Sequence, residues 1–440
     1  MLPIALAFDS WAWLVWAREL VNGSLVTTGG PSWKPGTVAL ALPTVPFGGA
    51  APTLWLLIER TAALLALAAA ARLAWTLVSR WPESSRAAAA LGSIAAVGLL
   101  FASEWWLPNS ALGNSEGIVA ALALVAVDAA VRRREGQCLL ALWALCTLRP
   151  EAFIFLLIAV VFAWRGELSR QWRGLLIAAV LSVPVLWVVP ELIGSGNAFR
   201  AGEAATAALP GRPSQAEFPA YELARQALDA VWFWAAVLGL ITVSIASVRR
   251  VLPVLATAAV AVAWFSLVAV MSQAGFSGNV RYLAPSLALV AVLGGVGVGV
   301  AVGWLAKQLR GGRQVLIYGT AAVLGALSVM AFGLRFADNR ADFGYRAQLH
   351  SQLGRAVADA GGVALLNRCA PAVSLQARRS ELSWRLDLTL DQVRPSGLPP
   401  YVLYRSRLTP GSPLVPRTVV AEGGQVRSQT ALWQVVAACE

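Results

Sequence analysis

Ten apolar runs, each closed off by charged or polar residues, occupy most of the chain. They lie near 53–79, 85–107, 115–131, 136–148, 150–164, 173–193, 230–248, 252–271, 283–305 and 315–334. A helix needs about 20 apolar residues to cross a hydrocarbon layer ~30 Å thick, so runs of this length read as the helices of a polytopic membrane protein. The fourth and fifth are too short to cross straight. Arg149-Pro150-Glu151 splits them, and they read as half-buried helices that meet at a shallow polar point. Composition agrees: 58% of the 440 residues are hydrophobic, 13% are charged, and mean hydropathy is +0.65. A soluble chain carries about a quarter charged residues.

The formal net charge of +12 suggests a nucleic-acid partner at first sight. Such a partner would need a contiguous basic patch or helix stripe, and none is visible. The cations instead cluster between alternate runs: Arg80 and Arg86; Arg132, Arg133 and Arg134; Arg165, Arg170 and Arg173; Arg249 and Arg250; Lys307, Arg310 and Arg313. The intervening stretches 104–116, 149–151, 194–229 and 272–282 hold few arginines and more acids. The positive-inside bias makes the first set cytoplasmic and the second external, together with segment 9–50 and the tail 335–440. Three domains follow: an outer segment 1–52 with an interfacial helix, a transmembrane helical domain 53–334, and a soluble extracytoplasmic α/β domain 335–440.

In the tail, Phe343, Leu349, Leu353, Val357 and Ala360 recur at helical spacing over 342–360, before Gly361-Gly362. Val363–Leu366, Tyr401–Tyr404 and Trp433–Val436 read as strands. Cys369 and Cys439 each follow one of these strands in an oxidising space, which favours a disulfide over a free buried pair. Cys138 and Cys146 lie eight residues apart on one apolar run, about 12 Å along a helix, too far to bridge. The single histidine, His350, excludes most imidazole chemistry. Any chemistry must come from carboxylates, Arg, Lys and backbone groups.

Ionisable groups are costly at the membrane, so those outside the cytoplasmic clusters mark a candidate site. Asp9, Trp13, Trp16 and Leu20 share a helix face suited to the interface, with tryptophans at headgroup depth. Asp9 is either that helix's N-cap or a base for an acceptor hydroxyl. Lys34, in Trp33-Lys34-Pro35-Gly36, is a phosphate-binding point charge or a snorkelling anchor. Asn114, Ser115 and Glu116 cap the third run, bind a sugar, or do both. Arg149 pairs with Glu151 or clamps a phosphate. Arg281-Tyr282 anchors to headgroups or approaches a lipid phosphate. Together these residues suit an anionic lipid-linked substrate with a phosphate or diphosphate head.

The order Asp9, Trp13, Ala17-Arg18, Gly23, Lys34-Pro35-Gly36 resembles the first outer loop of GT-C glycosyltransferases. The branch it looks most like contains the protein O-mannosyltransferases and lipid A aminoarabinose transferases. Arg281-Tyr282-Leu283-Ala284-Pro285 is similar to that family's late outer motif, and Arg149-Pro150-Glu151 to a motif of related membrane mannosyltransferases. The resemblance implies an all-α polytopic GT-C-like fold with an outer α/β domain. It also implies an inverting transfer of a sugar from a polyprenyl-phosphate carrier to an envelope glycan, lipid or protein, at the outer face of a bacterial inner membrane. Asp9 would be the base, Lys34, Arg149 and Arg281 the phosphate ligands, and Trp13, Asn114, Glu116, Glu151 and Tyr282 substrate contacts. No cofactor is required, though a divalent metal with Glu116 or Glu203 as second carboxylate remains open. Two departures stand out. Gly36 replaces a second proline, and only Met1–Phe8 remains of a helix that ends at the family's Asp. The second suggests a late start codon and eleven spans. Readings from other classes are a transporter and a non-catalytic envelope scaffold; no inverted repeat or midplane charge cluster favours the transporter.

Overall fold

The computed structural model describes residues 4–82, 84–166, 170–207, 211–309, 312–397, 399–416 and 424–439. Arg310 and Met1–Pro3 lie outside them. The chain opens with α1 (Phe8–Val21) and α2 (Pro35–Ala41), and all ten apolar runs are helical. They form α3 (Ala51–Ser79), α4 (Arg86–Ala102) and, after the short α5 (Trp106–Ala111), α6 (Glu116–Val131), α7 (Glu135–Cys146), α8 (Phe153–Trp164) and α9 (Arg170–Ser195). Beyond α10 (Arg200–Thr206) and α11 (Pro219–Ala230) come α12 (Phe233–Arg249), α13 (Leu252–Gln273), α14 (Ala284–Gln308) and α15 (Arg313–Asp359). Among the described residues, five helical segments are long and apolar enough to cross a membrane unaided, and a sixth if α11 and α12, bent by 103°, form one span. α7 and α8, with 12 residues each, meet at a 3-10 turn, Pro150–Ala152, as the proline between them requires.

Small residues let the central helices touch. A Cβ on Gly295 of α14 would fall 2.6 Å from the Ala96 nitrogen of α4, and one on Gly299 3.0 Å from the Gly92 Cα. Such contacts replace the hydrophobic drive that lipid cannot supply between helices. The outward faces of α8, α9, α12 and α13 leave Phe162, Leu181, Leu240 and Val262 exposed, as lipid-facing surfaces do. α3, α6, α8 and α14 begin at Ala51, Glu116, Phe153 and Ala284 and each ends beside an arginine or lysine cluster. The cationic loops therefore sit at the end opposite the N-termini of these four helices.

α15 runs 47 residues without a break, so the last apolar run and the tail helix at 342–360 are one rod. Its end packs Leu349, Leu353 and Val357 on a four-stranded sheet of order β1-β2-β4-β3, formed by β1 (Ala372–Ser374), β2 (Tyr401–Ser406), β3 (Gln425–Gln429) and β4 (Trp433–Ala438). β1 pairs with β2 in parallel and the other ladders are antiparallel. The run Val363–Leu366 is not a strand. It opens α16 (Val363–Cys369), because Gly362 at φ 82° redirects the chain after α15 and only Leu366 of the run is buried, on one side of a helical turn. Cys369 thus ends a helix, and it is disulfide-bonded to Cys439 just beyond β4.

The N-terminal helix also departs from expectation. The tryptophans of α1 are not presented to lipid headgroups but packed inside the protein. Trp11, Trp13, Leu14, Val15, Trp16 and Ala17 are all buried, together with Asp9, Ser10 and Glu19, so protein covers the helix on every side over most of its length. The cover comes from the C-terminal domain, from α17 (Arg379–Leu386) with the residues just after it and from α15: Arg18 bonds to Asp387 at 2.8 Å and to the Leu388 carbonyl at 2.6 Å, and Trp11 packs 5.0 Å from the ring of His350. The fold is a polytopic helical membrane protein with a C-terminal α/β domain seated over α1.

Candidate active site

Asp9 stands at the start of α1, but it is not the cap. The N-cap is Ala7, in extended conformation and without a side-chain bond. The helix start is fixed instead from outside: the Ala7 N–H donates to the Leu112 carbonyl at 2.9 Å and Ser10 Oγ to the Gly113 carbonyl at 2.7 Å. This frees the Asp9 carboxylate, which accepts from Arg281 Nη2 at 2.5 Å. Arg281 belongs to a 3-10 turn, Val280–Leu283, capped by the Asn279 side chain.

Arg149 approaches from the turn between α7 and α8. It bonds to Glu116 Oε1 at 2.5 Å, across the site, and not to its neighbour Glu151. Both partners are almost wholly buried, at 2% and 1% side-chain exposure. Glu116 Oε1 also lies 4.0 Å from Arg281 Nε, so one carboxylate links the two guanidiniums. Tyr282 lies between them, its ring centroid 4.5 Å from Arg149 Cζ and 5.7 Å from Arg281 Cζ.

Lys34 enters from the loop before α2. Its ammonium lies 5.1 Å from the Trp13 ring and within electrostatic reach of Asp9, Glu116, Arg149 and Arg281. The loop is docked at both ends. The Gly36 N–H donates to the Thr147 carbonyl at 2.9 Å, and a Cβ at 36 would strike Thr147 Oγ1. A proline there would lose the donor and clash, which accounts for the glycine. On the other side, Thr27 Oγ1 donates to the fully buried Glu191 at 2.6 Å. Arg200 pairs with Glu191 at 3.2 Å and donates to the Gly30 carbonyl at 2.7 Å. The Ala205 carbonyl then accepts from the Ser277 N–H at 3.0 Å, so α10 ties the Lys34 loop to the loop that leads to Arg281.

The electrostatics follow from this crowding. Burial alone would raise the Asp9 carboxyl, but Arg281, Lys34 and Arg149 outweigh it and hold it below its ordinary value. Burial, then Arg149 and Arg281, pull the Lys34 ammonium down to about 7, against Asp9 and Glu116. Several buried polar atoms at this end have no hydrogen-bond partner: Lys34 Nζ, Trp13 Nε1, Asn114 Oδ1, Ser115 Oγ, Glu116 Oε2, Arg149 Nε, Glu151 Oε2 and Arg281 Nε. Buried polar atoms are normally paired, so this concentration makes the end of the bundle the candidate binding site. Asn114 does not cap α6: its side-chain amide donates to Asn109 Oδ1 at 3.0 Å, and Ser115, the N-cap residue, makes no side-chain cap bond.

Asp9, Lys34, Glu116, Arg149, Arg281, Tyr282 and Trp13 thus come together at one end of the helical domain. Among the described residues no hydrogen bond or ion pair joins the Glu151 side chain to them, and its Oε2 is one of the unpartnered atoms. Glu203 lies apart, exposed on α10 and bonded to Asn197 at 2.9 Å. Among the described residues no group of three or more His, Cys, Asp and Glu is placed to hold a metal ion, and Asp9 and Glu116 are each already bonded to an arginine. The side chains present do not fit a carboxylate-held divalent metal. Sequence reasoning missed Glu59, Glu191 and Arg200. A lone carboxylate inside an apolar run is the signal that marks the first two.

No protein-family model and no curated protein matches the chain. Solved structures do. The crystal structure of ArnT from Cupriavidus metallidurans bound to undecaprenyl phosphate superposes with a TM-score of 0.61 at 14% identity, covering 99% of this chain and 95% of that one. The apo state of the same protein gives 0.61 at 15% identity, with the same coverage. The chain has the fold of these structures over its whole length.

Proposed function

We propose that the chain is an inverting glycosyltransferase of GT-C type. It moves a sugar from a polyprenyl-phosphate carrier to a glycan, lipid or protein of the cell envelope, at the outer face of a bacterial inner membrane. The observation that carries this reading is the buried group in which Asp9 meets three cations, Lys34, Arg149 and Arg281. The likeness to a fold that has been captured with undecaprenyl phosphate supports it. The orientation rests on the lysine and arginine clusters at the opposite end of the helices.

In this reading the carrier phosphate lies among the three cations. The acceptor hydroxyl attacks the anomeric carbon from the face opposite the phosphate. Asp9 takes the hydroxyl proton as the new C–O bond forms, while the bond to the phosphate oxygen breaks and its electron pair stays on the phosphate. The products are the glycosylated acceptor and polyprenyl phosphate. Fixed cations around the leaving oxygen stabilise the charge that develops there, with little reorganisation of the site. Asp9, held ionised by the same cations, is ready to accept a proton throughout the neutral range.

The test is Asp9→Asn in the full chain reconstituted in nanodiscs, with release of undecaprenyl phosphate from a set of undecaprenyl-phosphate sugars as the readout. Loss of a general base lowers transfer about 10²–10⁴-fold, with carrier binding retained. Full activity in the variant would remove Asp9 from the role. Solute uptake into liposomes without transfer would point to a transporter instead.

A further inference from the structure

Glu59 takes no part in the reaction described above. It lies two turns into α3, fully buried, and neither carboxyl oxygen has a hydrogen-bond partner. Its surroundings follow from a close approach of α3 and α6. Gly113, at φ 70°, rests against Leu56 and Trp55, and a Cβ on Gly117 would come 3.1 Å from the Ala63 nitrogen. Glu59 lies between these two contacts on α3, so it faces the start of α6, within electrostatic reach of Glu116 and Lys34. The Lys34 ammonium is likewise buried and without a partner, as are Asn114 Oδ1, Ser115 Oγ and Glu116 Oε2.

A buried carboxyl and a buried ammonium, each without a hydrogen-bond partner and within electrostatic reach of the other, are two unsatisfied groups that one small polar group could serve together. That group must accept from Lys34 and donate to Glu59, since an unpaired polar group is expensive in such a place. The phosphate of a glycosyl phosphate meets only the first condition, because its diester oxygens carry no proton to donate. A hydroxyl meets both. In a glycosyl phosphate, the hydroxyl nearest the phosphate is the one on the sugar carbon next to the anomeric carbon.

We propose that Glu59 is a sugar-recognition residue: it accepts a hydrogen bond from the 2-hydroxyl of the transferred sugar, while Lys34 spans that hydroxyl and the carrier phosphate. This rests on the carrier reading above and names the part of the donor that the site selects.

The test measures binding to the full chain in nanodiscs. The probes are bare undecaprenyl phosphate and undecaprenyl phosphate bearing glucose, mannose, 2-deoxyglucose, arabinose or 2-deoxyribose. In the wild type at least one 2-hydroxy sugar binds about ten-fold or more tighter than its 2-deoxy counterpart, the worth of one charged hydrogen bond. Glu59→Leu, which replaces an unpartnered carboxyl by an apolar group, brings that ratio to about one, and Glu59→Gln gives an intermediate value. Neither variant binds the bare carrier more weakly, since the bare carrier has no sugar hydroxyl for Glu59 to hold. Damage to the fold would weaken every probe together. A wild-type ratio retained in Glu59→Leu, or no 2-hydroxy preference in the wild type, overturns the proposal. Failure of bare undecaprenyl phosphate to bind the wild type overturns the carrier reading itself.

Discussion

Lys34 is the site cation whose charge can change in the physiological range. Burial and the two neighbouring guanidiniums bring it to about 7. An anion placed beside it restores the charged form, so binding of a phosphate group is coupled to uptake of a proton. The sign follows directly: the ammonium is fully present below about pH 6 and is lost as pH rises through 7. Between pH 6 and pH 8.5 the protonated fraction of the free site falls from about nine-tenths to about 3%, and affinity for a permanently monoanionic phosphate falls about 30-fold. Farnesyl methyl phosphate is a suitable ligand, because a diester does not itself titrate in this window. Asp9, held low by its cations, stays ionised throughout. Lys34→Arg keeps its charge and should show a flat profile, while Lys34→Met should be weak and flat. Titration calorimetry of the three proteins at five pH values decides the matter. A flat wild-type profile, or the same slope in Lys34→Arg, would refute the argument that this lysine is discharged by its neighbours.

Three further outcomes follow from particular contacts. Glu191→Ala leaves Arg200 without its buried counter-charge, at a cost of about 3 kcal/mol, and frees the loop that carries Lys34. A lower Tm should accompany weaker carrier binding, and unchanged carrier binding would show that the clamp does not position the loop. Burial pushes the Glu19 carboxyl, near the end of α1, up to about 7, against its bond from the Val26 N–H and the nearby Arg18. Its raised value makes the native state lose stability as pH climbs from about 4.5 to 7, so Glu19→Gln should raise Tm at pH 8 and change it little at pH 4. Cys369 and Cys439 close a 70-residue separation, and replacing both by Ser should cost about 4 kcal/mol of unfolding free energy. Urea unfolding followed by amide hydrogen exchange of the sheet strands reads that loss, and an unchanged midpoint would contradict it.

The helices and the charged residues of the candidate site were legible for a simple reason. An apolar run must be long to cross lipid, and an isolated Asp, Lys or Arg beside such a run is costly enough to be noticed. Partnerships were not legible. Arg149 and Glu151 are neighbours in the chain, yet Arg149 reaches Glu116, because the turn after α7 directs it across the site. Nor was the burial of α1, whose apolar surface also suits a lipid interface. Its cover is made by Leu390 and Trp384, over 350 residues away. Val363–Leu366 is too short for periodicity to separate strand from helix, and the preceding glycines and Leu366 decide it locally. Glu59 escaped because a single carboxylate in a long apolar run still leaves enough hydrophobicity for a span.

The unbroken rod of α15 has a geometric consequence. At 1.5 Å and 100° per residue, its 47 residues measure ~70 Å and leave no joint between the bundle and the cap. Arg335 fixes the rod's rotation, donating to the Ala102 carbonyl at 3.0 Å and to Glu104 at 2.9 Å. One residue inserted just after it would advance the cap only ~1.5 Å but turn it through ~100°, carrying α17 away from α1. Seven would nearly restore the heading while raising the cap ~10 Å clear of Trp11. The two halves are indexed to each other like a key cut to one angle, and length variation in this protein must fall somewhere other than the shaft.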